Sequence, residues 1–101
     1  MSEEDYRKLS KEEIRKELAK VKGWKIVKGK IRRNFEFMDF NTAFGFMTRV
    51  AMKVERLDHH PEWFNVYNQV RIELVTHDVN GLSNYDFILA KEIDGIASSF
   101  K

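Results

Sequence analysis

The chain's only proline, Pro61, stands between two patterns that cannot belong to one element. Before it, Phe40, Ala43, Phe44, Met47, Val50, Ala51, Val54 and Leu57 recur at helical spacing. After it, from Trp63 to Tyr67 and from Val70 to Thr76, apolar residues alternate with a period of two. Proline fixes its own φ and pushes the residue before it out of the α region, so a long helix must end before His60 and an extended segment must begin. His59 and His60 are thereby held on an elbow rather than on a helix face. They are two of the chain's three histidines.

The remaining elements follow from local signals. Ser10-Lys11-Glu12-Glu13 is a capping box flanked by Leu9 and Ile14 at the hydrophobic-staple positions, and Gly23 suits the residue after a helix end. The first helix is therefore predicted over about 11–22. Trp24 to Val27 and Ile31 to Phe37 flank Lys28-Gly29-Lys30 and read as a hairpin, with Ile31, Arg33, Phe35 and Phe37 on one face. Asp39 is a suitable N-cap for the second helix, whose wide apolar stripe must face a sheet. Phe46 and Met52 fall outside that stripe and are left for a further contact, such as another subunit. A second hairpin turns at Asn68-Gln69, Asn80-Gly81 breaks the chain, and Ser83 to Asp86 opens a last helix striped by Leu89, Ile93, Ile96 and Phe100. The order α-β-β-α-β-β-α predicts one α+β domain over 1–101, with three helices and a four-stranded antiparallel sheet.

At 101 residues and 43% hydrophobic content, the chain can bury one core. The absence of cysteine excludes disulfides and thiolate chemistry. No apolar run reaches the ~20 residues of a membrane span, and the acidic start lacks the apolar core of a signal peptide. The cytosol is the expected location, with nuclear entry open to so small a chain. The net charge of +2 conceals a basic first third and an acidic remainder. The cations interleave with acids or apolar residues, which fits a solvated face better than a nucleic-acid footprint. Opposite charges on the two parts would also favour self-association.

Candidate chemistry gathers at His59, His60, His77 and Asp86, with Glu55 one helical turn before His59. Taken singly, each has an ordinary explanation. Asp86 suits a helix N-terminus, Glu55 a solvated helix face, and Trp63 a core position. Together they converge, because an elbow that enters a hairpin's first strand lies near the end of its second, where His77 stands. Imidazoles there can exchange protons near neutral pH. A zinc or iron shell is the rival, but adjacent histidines usually diverge, and the i, i+4 pair of a metallohydrolase helix is missing. There is no Gly-flanked Ser elbow and no Gly-rich phosphate loop.

The full pattern is an acid, three spacers, His-His-Pro, five spacers, an aromatic, nine spacers, His, then Asp at the last helix start. In this chain it comprises Glu55, His59-His60-Pro61, Tyr67, His77 and Asp86. It resembles the pterin-4a-carbinolamine dehydratases, also known as dimerisation cofactors of a hepatocyte homeodomain transcription factor. The segments Asp39 to Ala51 and Pro61 to Asn68 are similar to the animal members. The resemblance implies dehydration of 4a-hydroxytetrahydrobiopterin to quinonoid dihydrobiopterin, with no metal or other cofactor. It further implies that His59 and His77 flank the 4a-hydroxyl, that His60 binds the pterin, that Asp86 orients a histidine and that Trp63 helps wall the pocket. A homotetramer and a homeodomain partner belong to the same implication.

Overall fold

The structure, a computed structural model, describes residues 7–100. Helix α1 (Lys11–Leu18) starts at the expected capping box: Ser10 Oγ accepts from the Glu13 amide at 3.2 Å, and Glu13 Oε1 from the Ser10 amide at 2.9 Å. It does not reach residue 22. Beyond Leu18 the chain tightens, with the Lys20 amide donating to Glu17 O at 3.0 Å and the Val21 amide to Leu18 O at 3.2 Å. The tighter path carries Val21 and Trp24 into the core, a larger gain than one more exposed helical turn. Gly23, at φ 95°, supplies the reversal that a side chain would resist.

Strands β1 (Lys25–Val27), β2 (Lys30–Glu36), β3 (Glu62–Val66) and β4 (Gln69–Leu74) form one antiparallel sheet in the order β1-β2-β4-β3. The first hairpin turns at Lys28-Gly29, both with positive φ, as a two-residue turn of matching twist requires. The second turns at Tyr67-Asn68, one residue before the predicted Asn68-Gln69, since Val66 pairs with Gln69. Asn68 accounts for the shift. Its Nδ2 donates to Phe37 O and its own carbonyl accepts from the Phe37 amide, both at 2.9 Å, which locks the turn to the end of β2.

Helix α2 (Phe40–Leu57) is capped by Asp39, whose Oδ1 accepts from the Thr42 amide at 2.8 Å. It packs on β4 and on α3 (Asn84–Ser98). Its buried face comprises Ala43, Phe46, Val50 and Val54. Phe46 is therefore not left over: it is fully buried, with ring centroids 5.0 Å from Phe35 and 4.8 Å from Phe37. Phe40 and Phe44, placed on the core stripe by periodicity, lie about half exposed together with Met52. The rings of Phe35 in β2 and Phe37 just beyond it decide the helix's rotation, because they offer Phe46 a closer fit than a polar surface could.

The core between sheet and helices holds Ile31, Phe35, Val70, Ile72 and Leu74 from the strands, and Leu89, Ala90, Ile93 and Ile96 from α3. Each large side chain buried there stabilises the fold by about 1.5–3 kcal/mol. Phe100 packs edge-on against Phe46 just beyond α3. On the opposite sheet face Arg32 donates to Glu73 at 2.6 Å and Arg71 lies over Phe64. Among the described residues, no helix is long and apolar enough to cross a membrane.

Candidate active site

Helix α2 ends at Asp58, a left-handed residue at φ 55° whose amide donates to Val54 O. Left-handed backbone is disfavoured for a residue with Cβ, and it turns the chain abruptly out of the helix into His59-His60-Pro61, which lead to β3. The elbow expected from Pro61 is thus made by two neighbouring constraints. The third histidine sits on a separate loop. Thr76 and Gly81 exchange backbone hydrogen bonds, Thr76 N to Gly81 O at 2.9 Å and Gly81 N to Thr76 O at 3.3 Å, and pinch off a short 3-10 turn (His77–Val79) that opens with His77.

These pieces meet at a cleft of about 240 Å³ lined by Asp58, His59, His60, Thr76, His77 and Asp78. Larger hollows lie elsewhere, about 330 Å³ between α1 and α3 and about 380 Å³ beside Leu9 and Ile26. Neither of these, nor the hollows of about 320 Å³ beside Arg49 and about 280 Å³ beside Phe64, is lined by a histidine or by a buried charged group, so chemistry rather than size selects the cleft.

Each histidine faces its own carboxylate. His59, 7% exposed, places Nε2 2.7 Å from Oδ1 of fully buried Asp86. His60 Nε2 lies 2.7 Å from Glu55 Oε1 on the solvent side. His77, its side chain 79% exposed, lies 3.6 Å from Glu62 Oε2. Glu62 also accepts from Lys30 Nζ at 2.6 Å. That hydrogen bond, more than the smaller effects of the Lys30 and His77 charges, holds the Glu62 carboxyl below its ordinary value. The three imidazoles are divided among three acids, and among the described residues no three ligating side chains converge as a metal shell would require.

Asp86 occupies the third position of α3 and completes its capping box, with Oδ2 accepting from the Ser83 amide at 2.9 Å. Oδ2 also accepts from Thr76 Oγ1 at 2.8 Å. The Tyr85 ring stands edge-on to His59 with centroids 6.0 Å apart. Of the residues singled out from sequence, His59, His60 and His77 share the cleft, while Asp86 and Glu55 stand behind two of them. Trp63 does not line the cleft: on β3 it points to the core side and packs against the buried cluster. Glu62 and Thr76 were not singled out. Thr76 left a signal, since its hydroxyl falls in register with Val70, Ile72 and Leu74 on a buried face, where it needs a hydrogen-bond partner.

A family model described as pterin 4 alpha carbinolamine dehydratase matches residues 7–96. The chain belongs to that family. It is 52% identical over 93 residues to a protein of Paraburkholderia xenovorans (strain LB400) named pterin-4-alpha-carbinolamine dehydratase, spanning 90% of this chain and 97% of that one. A Solibacter usitatus (strain Ellin6076) protein of the same name is 48% identical over 91 residues, 90% of this chain and 96% of its own. The crystal structure of a transcriptional coactivator/pterin dehydratase from Brucella melitensis superposes with a TM-score of 0.87 at 44% identity, covering 90% of this chain and 99% of that one. The pterin dehydratase fold, three helices and a four-stranded antiparallel sheet in the predicted order, is therefore that of this chain as well.

Proposed function

We propose that this dehydratase converts 4a-hydroxytetrahydrobiopterin to quinonoid dihydrobiopterin and water, in the recycling of tetrahydrobiopterin, by histidine acid–base catalysis. The observation that carries the reading is the buried Asp86–His59 pair at the wall of a cleft shared with His60 and His77. The reaction breaks the C4a–O bond as a proton reaches the departing hydroxyl. The N5 lone pair forms the C4a=N5 bond, and the N5 proton is then removed. No electrons enter or leave.

Two positioned proton-exchanging groups meet that need. His59, held at Nε2 by Asp86, serves as one proton-exchanging group on the 4a-hydroxyl. His77, on the opposite loop, serves as its partner on the 4a-hydroxyl. His60 binds and orients the pterin and is itself steadied by Glu55. The direct test follows ultraviolet absorbance of chemically generated 4a-carbinolamine with and without the purified chain. Loss of the carbinolamine no faster than in buffer would sink the reading.

A second reading concerns partners. Phe40, Phe44 and Met52 lie about half exposed along α2, and the similar Brucella melitensis protein is described as a transcriptional coactivator as well as a dehydratase. On this reading the α2 face is covered in a homotetramer and is shared with a homeodomain transcription factor in the nucleus. Sedimentation at micromolar concentration tests the assembly, which a purely monomeric boundary would exclude.

A further inference from the structure

Thr76 ties the two sides of the cleft together. Its Oγ1 lies between Ser83 Oγ at 2.6 Å and Asp86 Oδ2 at 2.8 Å, and all three side chains are buried. Counting donors gives the chain a direction. Ser83 Oγ accepts from the Tyr85 amide at 3.1 Å and, within the capping box, from the Asp86 amide. Its own proton is then available to Thr76 Oγ1. Thr76 has a single hydroxyl proton and gives it to the carboxylate, which accepts only. Oδ2 takes this bond and the Ser83 amide together, so the carboxylate is held at two points and Oδ1 is turned to His59 Nε2.

We infer that Thr76 is a positioning residue for the dehydration. Its hydroxyl fixes the rotation of Asp86, and Asp86 in turn holds His59 as the tautomer protonated at Nε2. The backbone of the same residue closes the loop that presents His77, through its paired bonds with Gly81. One side chain and its own peptide groups therefore set both imidazoles of the acid–base pair. Valine at this position would keep the shape and lose the hydroxyl. Without that bond the carboxylate keeps the Ser83 amide alone on Oδ2 and can swing, and His59 loses its fixed tautomer.

The kinetic arm of the test rests on the proposed dehydration, whereas the spectroscopic arm uses ligand-free protein and does not. Long-range ¹H–¹⁵N spectra of the parent should show His59 protonated at Nε2. In Thr76→Val this signature should give way to a mixture of tautomers, and kcat should fall ~10- to 100-fold, the size of a hydrogen bond to a charged group lost in the transition state. KM should stay within about two-fold. Thr76→Ser, which restores the hydroxyl, should recover both the signature and kcat. Thermal melts establish that each variant is folded, and Thr76→Ala replaces the valine variant if that one does not fold. An unchanged tautomer or an unchanged kcat in the hydroxyl-free variant overturns the inference. So does a loss in Thr76→Ser as large as in Thr76→Val, which would assign the effect to packing of the methyl group. A parent without dehydratase activity would defeat the functional reading instead, and the tautomer measurement alone would then decide the role of Thr76.

Discussion

At Asp86 one carboxylate is divided between two tasks, Oδ2 closing the first turn of α3 and Oδ1 facing His59 Nε2. Replacing either His59 or His77 with Ala should lower kcat, by ~10²–10⁴-fold where no other group substitutes. His60→Ala should mainly raise KM, because an orienting contact made equally in ground and transition states contributes uniform binding. Steady-state kinetics on folded variants decides: parent rates in the first two, with kcat lost and KM unchanged in the third, would reverse the roles. The histidines were legible because Pro61 and the hairpin that follows leave them few places to go. The capping role of Asp86 was legible from Ser83 three residues before it. That its second oxygen meets a histidine twenty-seven positions away followed from the family resemblance alone, since a local pattern sees only the near side of a carboxylate. Glu62 was hidden for a related reason: it stands on β3, and both Lys30 and His77 reach it from other elements.

At the scale of elements, the first turns of α1 and α2 are each capped through a carboxylate. The Ser10 amide, and then the Arg7 guanidinium, hold Glu13 below its ordinary value, and Thr42 does the same for Asp39. A group whose pKa is lowered by folding adds stability that is present above its unfolded value and is lost as pH falls through the folded one. Asp39→Asn keeps a capping oxygen but cannot titrate. In urea melts from about pH 6 to about pH 2, the parent's advantage over this variant should therefore shrink below about pH 3.9, the unfolded aspartate value. A constant difference over that range would remove Asp39 from the acid limb. The cap itself was legible from Asp39 and the pattern after it, but the rotation of α2 was not. Stripes through Phe44 and through Phe46 fit a helical period about equally. What separates them is the ring cluster of Phe35 and Phe37, which belongs to another element.

Across the whole molecule, the strand order places β2 beside β4, so that each hairpin contributes its second strand to the centre of the sheet. Turn residues announced both hairpins, yet nothing in a turn says which strands of two hairpins will meet. That choice depends on matching Ile31 with Leu74 and Phe35 with Val70 across the sheet, with α2 lying between them in sequence. The same pairing sets the order in which the chain can assemble. Neither hairpin has a covered face until the long segment containing α2 has been closed, so loop entropy must be overcome before burial rewards it. Refolding should be slower than for a helical bundle of this size, with its nucleus at the β2–β4 seam. Ile72→Val should then slow refolding by most of its equilibrium cost, while a substitution at Lys28, in the outer turn, should chiefly speed unfolding. Denaturant-jump kinetics that put both effects on the same limb would show that the outer turn and the seam form together.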